Sequence, residues 1–420
     1  MGMTALEKIF ARASGAKSVA PGDLVVVNVD TVVMLDSSFF PSVRREVVKV
    51  HDPRKVAVIY DHFVPAPDEK AAAAQAYGRA FARRFGIERF HDVGPDQGIS
   101  HAVVADHGYA LPGSVLVCSD SHTCASGAFN CAARGIGAPD MIYALTTGQT
   151  WFQLGGTVRY DLSGRLRAGV SAKDVFLHLA GTYGDHANCN IEFGGPALAD
   201  LGIGARRTLA AMGAELSAEF VTFEPDQALI DYVKARNPAP FEPQYPDAEA
   251  RYLDRRRVDL GAIEPLVARP DSVIRNSVAV GAVAGQRIDQ AFIGSCANGS
   301  LDDLAEAARI VAGRKVARGV RFLVTPGSQR VYAAALKAGH VQTLTEAGAV
   351  VTAATCGACF GGHMGVLGPN EVCITASTRN FKGRMGAASA RIFMASPATV
   401  AASAIAGSIV HPGEFAGGRA

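Results

Sequence analysis

Ser114-Val-Leu-Val-Cys118-Ser119-Asp120-Ser121-His122 is a short apolar run that ends in an acid and a histidine. The run is too brief for a helix and has no polar alternation, so it reads as a strand buried on both faces. Two other stretches repeat the pattern. Lys55-Val-Ala-Val-Ile-Tyr60 runs into Asp61-His62, and Gln290-Ala-Phe-Ile293 runs into the loop Gly294-Ser-Cys-Ala-Asn-Gly-Ser300. Asp23-Leu-Val-Val-Val-Asn-Val-Asp30 is a further strand-like run ending in a polar loop. Helical signals lie between them. Thr4 and Glu7 form a capping box, Ala71 to Phe85 is alanine-rich with periodic apolar positions, and Leu301 to Val311 has Ser300 as N-cap. Ser396-Pro397 opens another helix, with proline at its first position. Strands with titratable tips alternating with helices predict α/β domains, in which ligands bind at the carboxyl ends of the strands.

Composition narrows the function. The chain has 420 residues, 49% apolar and 19% charged, which predicts two or three well-cored domains. Forty-one basic residues against 39 acidic ones give a net charge of +2, so no polyanion partner is indicated. No apolar stretch reaches membrane-spanning length, and the N-terminus carries no signal-peptide pattern, so the expectation is a cytoplasmic chain without membrane or nucleic-acid partners. In that setting the eight cysteines read as thiols or metal ligands rather than disulfides. The middle of the chain predicts helices over Asp174 to Gly181 and Gly204 to Gly213. The prolines at 238, 240, 243 and 246, with Arg255-Arg-Arg257, read as a solvated linker.

Three groups of residues carry chemistry. Cys296 lies between a strand and a helix start, and Cys356-Gly-Ala-Cys359 lies in a glycine-rich loop. Three thiolates from two loops suit a metal or cluster, whereas a fourth ligand from His363 would make a zinc site; spacing does not separate the two. Cys118, Cys124, Cys131, Cys189 and Cys373 read as small buried hydrophobes. Asp61-His62, Asp120-Ser-His122 and His101 place imidazoles near carboxylates, which can fix a tautomer and raise a pKa. Arg379 and Arg384 flank a glycine loop and suit carboxylate binding. No dinucleotide fingerprint, Walker A sequence or serine-hydrolase elbow is present.

Taken together, Tyr60-Asp-His-Phe-Val-Pro-Ala-Pro67, Ser119-Asp-Ser-His-Thr123, Gly294-Ser-Cys-Ala-Asn298, Cys356-Gly-Ala-Cys-Phe-Gly-Gly-His-Met-Gly365, Arg379-Asn-Phe-Lys-Gly-Arg-Met-Gly386 and Ser396 to Gly407 resemble the aconitase superfamily. The resemblance follows family order over nearly the whole chain. It is strongest to the branch of 3-isopropylmalate dehydratases and archaeal-type homoaconitases. It implies three α/β domains (1–156, 157–265 and 266–420) around an iron–sulfur cluster. It also implies a separate small subunit supplying the swivelling fourth domain with its serine base, so that the chain alone is inactive or nearly so.

By the same resemblance, Cys296, Cys356 and Cys359 hold a [4Fe–4S] cluster whose fourth iron binds a substrate carboxylate and the leaving hydroxyl. The expected catalytic residues are Asp61, His62, His101, Asp120, Ser121, His122 and Glu192, with Glu192 as the partner of His122. Asn298, Arg379 and Arg384 are expected to bind substrate. The implied activity is hydration and dehydration of a malate-type di- or tricarboxylate, as in leucine biosynthesis. Homocitrate, dimethylmalate, citramalate and maleate chemistry are the alternatives, and an RNA-binding relative is the alternative of another class. The chain departs from the family pattern at Leu35, Ala297, Ser300 and Thr378. Leu35 is expected to touch an alkyl group of the substrate.

Overall fold

The computed structural model describes residues 2–415, which form two compact units. Among these, the first comprises residues 2–93, 100–164 and 186–259, and the second 94–99, 165–185 and 260–415. Each of the three sequence segments contributes one main sheet. The first two of these sheets share one unit, and the three-domain division stays a proposal.

In chain order the strands of the first unit are β1 (Leu24–Asn28), β2 (Thr31–Leu35), β3 (Val56–Ile59), β4 (Arg89–His91), β5 (Val115–Cys118), β6 (Ala132–Gly135), β7 (Gln149–Gln153), β8 (Gly156–Ser163), β9 (Cys189–Gly194), β10 (Val221–Phe223) and β11 (Asp254–Asp259). A five-stranded parallel sheet has the order β4-β3-β2-β5-β6. Strands β2, β3 and β5 are buried throughout, as their unbroken apolar runs require in a sheet covered on both faces. The chain moves from β2 to β3 and β4 on one side and then to β5 and β6 on the other. The carboxyl ends of β2, β3 and β5 therefore flank a topological switch point. A second sheet, β10-β9-β8-β11, is also parallel.

The run from Asp23 to Asp30 forms a strand as read, but outside the parallel sheet: β1 pairs antiparallel with β7 in a separate ribbon, and its alternating burial shows one wet face. The sheet strand is the next run, β2, which the ribbon's tight connection hides in the sequence. The basic run Arg255–Arg257 is not linker but the middle of β11, an edge strand on β8. Its charged residues mark it as an edge, where charge blocks further strand addition. Arg256 also donates to Tyr160 Oη at 2.6 Å and to Asp254 at 2.7 Å. The proline-rich stretch before it lies within the first unit and joins no two units.

The second unit is built on the seven-stranded sheet β13-β12-β18-β17-β14-β15-β16. Its strands are β12 (Leu266–Ala268), β13 (Ser277–Ala279), β14 (Gln290–Ile293), β15 (Arg321–Val324), β16 (Val350–Val351), β17 (Val372–Thr375) and β18 (Arg391–Ala395). Strands β14 to β18 are mutually parallel, with the switch point between β14 and β17. The helices Leu301–Val311 and Pro397–Ala406 start as read, on Ser300 and Ser396-Pro397, and pack their apolar faces into this unit's core. The capping box at Thr4 and Glu7 is formed, and the helix near Ala71 runs from Glu69 to Phe85. Among the described residues no helix is long and apolar enough to cross a membrane.

Candidate functional site

In the first unit, three strand tips deliver three acids. Asp36 follows β2, Asp61 follows β3 after Tyr60, and Asp120 follows β5 after Ser119. His62 Nδ1 lies 2.6 Å from Asp61 Oδ1, and its Nε2 lies 3.9 Å from Asp120 Oδ2. Asp120 Oδ1 receives the backbone N–H of His122 at 2.7 Å and lies 2.9 Å from His101 Nε2. Asp120 therefore ties together His62, His101 and His122.

The electrostatics follow from this packing. Burial alone would lower the His62 pKa, but Asp61, then Asp120 and Asp36, outweigh it and push it up to about 10. His62 is then an imidazolium at neutral pH. His122 is raised for the same kind of reason, burial being overcome by bonds to Asp120 and Glu215. Asp120 is held well below the usual carboxylate range, because the bonds from His101 and His122 outweigh burial. Asp36 goes the other way, up to about 6, through burial and repulsion from Asp61. It accepts the backbone N–H groups of His62 and Phe63 at 3.3 and 2.7 Å, which fixes the turn that carries His62.

The expected pairing of His122 with Glu192 is not found. Glu215 Oε1 lies 2.9 Å from His122 Nε2 instead. Glu192 sits in mid-strand on β9 and is fully buried. It accepts from Arg159 at 2.7 Å, Tyr252 at 2.5 Å and the N–H of Ala5 at 3.0 Å. It belongs to a structural network, because a mid-strand side chain points into a sheet face rather than off the sheet end. Leu35 is also corrected. It lies in the core with Val33 and Ile59, whereas Met34 points to the opposite face. Asp36 and Glu215 are the residues that sequence reasoning missed. Asp36 carried a usable signal, an acid at the end of an apolar run; Glu215 carried none. Ser121 lies on the exposed side of the same loop.

In the second unit, Cys296 follows β14, Cys356 and Cys359 follow β16, and Arg379 and Arg384 follow β17. All are thus delivered to the carboxyl end of one sheet, around its switch point. The Cys356 loop depends on close backbone approach. Gly357 has φ +57°, and a Cβ there would stand 3.0 Å from Thr325 Oγ1; at Gly361, φ +73°, it would meet the Arg384 carbonyl at 2.7 Å.

Cys359 is buried, with Thr378 Oγ1 3.6 Å and Arg384 Nη2 3.8 Å from its sulfur. Next to Cys296, Asn298 donates to Asp303 at 2.9 Å, while its buried Oδ1 has no hydrogen-bond partner. No disulfide occurs among the described residues.

The donor set fits a cluster better than a single ion. Tetrahedral zinc at ~2.3 Å from sulfur needs ligand atoms roughly 4 Å apart. Among the described residues, Cys296, Cys356, Cys359 and His363 do not place three ligand atoms within 4.8 Å of one another. A hydroxyl and a guanidinium on a cysteine sulfur and two glycines with positive φ are what a bulky anionic sulfur-ligated group needs around it. The remaining buried cysteines differ. Burial pushes the thiols of Cys124 and Cys131 up to about 12, and those of Cys118 and Cys373 also upward, so they stay neutral and inert.

Comparison with known proteins gives the family. The family model described as "Aconitase family (aconitate hydratase)" matches residues 39–283 and 275–407. The chain is 54% identical to a "3-isopropylmalate dehydratase large subunit" of Mycolicibacterium smegmatis, over 97% of this chain and 96% of that one. It is 40% identical to a "Probable methanogen homoaconitase large subunit" of Methanothermobacter thermautotrophicus, over 99% of each chain. Among solved structures, the holo form of Thermococcus kodakaraensis aconitase X superposes with a TM-score of 0.51 at 12% identity, covering 84% of both chains, which speaks to the fold alone. The chain belongs to the aconitase family.

Proposed function

We propose that this chain is the large subunit of an iron–sulfur-dependent hydro-lyase acting on a malate-type hydroxy di- or tricarboxylate, and that it works with a separate small subunit. The observation that carries this reading is the cluster of His62, His101 and His122 around Asp120 at the strand ends of the first unit. The relatives named as 3-isopropylmalate dehydratase large subunits support the substrate class, and the homoaconitase name supports a tricarboxylate as the second reading.

Cys296, Cys356 and Cys359 would hold the [4Fe–4S] cluster, with Thr378 and Arg384 donating to the Cys359 sulfur. When bound, the cluster supplies Lewis-acid chemistry at an iron without a protein ligand. His62 holds a proton at Nε2, the nitrogen turned away from Asp61, and would deliver it to a departing hydroxyl. His101 and His122 orient and neutralise Asp120, and His122 is itself steadied by Glu215. Arg379 and Arg384 would bind substrate carboxylate, and the buried carbonyl oxygen of Asn298 would accept from a hydroxyl of the substrate. Ser121, on the loop of Asp120, would be a further contact of the substrate. The base that removes the carbon-bound proton would come from the small subunit.

The test is to purify the chain anaerobically with and without its cognate small subunit. Both preparations are assayed on 3-isopropylmalate, homocitrate, citramalate, dimethylmalate and maleate. Turnover of one of these by the pair, and by the pair only, is expected. Inactivity of the pair on all five would reject the reading, and full activity without the partner would reject the two-subunit part of it.

A further inference from the structure

In the second unit, the helix Ala172–Tyr183 starts on a capping box between Ser171 and Asp174, and its second residue is Lys173. Lys173 is 0% exposed, and no other lysine among the described residues is buried. The place is unfavourable for a cation twice over. The unsatisfied N–H groups of a first helical turn make that end of the helix positive, and burial strips the ammonium of water. Helix stability therefore does not account for the lysine; its contacts do.

Lys173 Nζ donates to the carbonyl of Ser377 at 3.0 Å and stands 5.9 Å from the centre of the Phe176 ring. Ser377 lies two residues past β17, at the start of the loop that carries Thr378, Arg379 and Arg384. It is fixed on its other sides as well. Its N–H donates to Thr375 Oγ1 at 3.0 Å, and its hydroxyl lies 4.0 Å from the sulfur of Met385, at the far end of the same loop. Thr378 is fully buried, and its Oγ1 is the atom 3.6 Å from the Cys359 sulfur. Lys173 thus reaches that sulfur through one peptide bond and one side chain.

A peptide group is planar, so a clamp on the Ser377 carbonyl also fixes the direction in which Thr378 leaves it. Asp174, the next residue in the chain, serves other strands. It accepts the N–H of Leu266 at 3.0 Å, at the start of β12, and bonds to Ser396, which follows β18. The two residues divide the work: Lys173 holds the tip of β17, and Asp174 holds the tip of β18.

We propose that Lys173 is a positioning residue for the cysteine site. By holding the Ser377–Thr378 peptide it keeps the Thr378 hydroxyl on the Cys359 sulfur and fixes the start of the loop that carries Arg379 and Arg384. The proposal rests on the reading of Cys359 as a cluster ligand.

The test compares Lys173→Met, which keeps the apolar stem without the ammonium, with Lys315→Met. Lys315 is exposed and donates to the Glu346 carbonyl at 2.6 Å, so the same change is made at a solvated lysine of the same unit. On the metal-free full chain, amide hydrogen exchange over residues 377–385 should quicken about tenfold in Lys173→Met, which loses a buried charged hydrogen bond. It should stay unchanged in Lys315→Met. On the anaerobically reconstituted chain, Lys173→Met and Thr378→Val should each bleach in air about two- to tenfold faster than wild type. The double variant should bleach no more than about twofold faster than the faster single variant, because both act through one contact. Unchanged exchange over 377–385, or a double variant that bleaches by the product of the two single effects, would overturn the proposal. Lys173→Gln, neutral and one bond shorter, replaces the methionine variant should that fail to fold, with the same expectations. A wild-type chain that takes up no iron and sulfide would reject the cluster reading, and exchange in the metal-free chain would still decide whether Lys173 holds the loop.

Discussion

Glu215 is the sharpest place to perturb the acid–histidine cluster, because it touches one histidine and was invisible in the sequence. Its Oε1 lies 2.9 Å from His122 Nε2, in a setting where both side chains are largely buried. Glu215→Gln keeps the shape and one neutral hydrogen bond but removes the charge. Unit charges ~4 Å apart interact by ~4 kcal/mol at an effective dielectric of ~20. Asp120 and the remaining neutral bond keep part of this, so a loss of ~1.5–3 kcal/mol is expected, typical of a charged hydrogen bond. His122 should then titrate about one to two pH units lower, at 1.36 kcal/mol per unit.

The sign in stability is fixed. The folded His122 pKa is raised, so its contribution is fully present below the unfolded value of ~6.5 and is lost as pH rises through the folded value. Urea unfolding of wild type and variant should differ most near pH 6 and converge at high pH, while the imidazole resonances report the pKa directly. Turnover with the small subunit should fall about tenfold to a hundredfold. An unchanged His122 pKa together with an unchanged stability difference from pH 6 to 10 would refute the assignment of Glu215.

Other parts of the structure give further expectations. Arg206, 1% exposed, donates to both carboxylate oxygens of Asp226 and to the carbonyls of Leu198 and Leu201. Arg206→Met strands these acceptors and should cost ~3–5 kcal/mol in urea unfolding. Asp174, buried in the second unit, is raised to about 6 by burial despite bonds from the N–H groups of Leu266 and Ser171. Its stabilising contribution is present at low pH and is lost as pH rises through about 6. Asp174→Asn should therefore gain ~2–3 kcal/mol relative to wild type between pH 4 and 7.5. Thr378→Val removes the hydroxyl beside the Cys359 sulfur. A lost hydrogen bond of ~0.5–1.5 kcal/mol predicts that the visible absorption of the reconstituted chain bleaches in air about two- to tenfold faster.

What the sequence made legible was local and periodic. Buried strands of four or five apolar residues, the capping box at Thr4, the N-cap at Ser300 and the proline start at Pro397 are encoded within a few positions, and the structure forms all of them. The acids at the tips of β3 and β5 were legible because a parallel sheet delivers its strand ends to one side. Long-range partnership was not. Glu215 lies 93 residues from His122 and sits in a short helical turn without any pattern of its own. Glu192 was expected as the partner of His122 by the resemblance alone, whereas its charge is absorbed by Arg159 on the neighbouring strand β8. The Arg255–Arg257 run misled because a charged edge strand and a solvated linker have the same composition.

The central claim is that Cys296, Cys356 and Cys359 hold an iron–sulfur cluster, and the direct measurement is iron, sulfide and zinc content with a visible spectrum on anaerobically reconstituted chain. About four iron and four sulfide per chain are predicted, with broad absorption that air bleaches. This content should be lost in each serine variant of these cysteines and kept in Cys373→Ser. One zinc per chain with no sulfide and no colour, or iron retained in all three serine variants, would contradict the account.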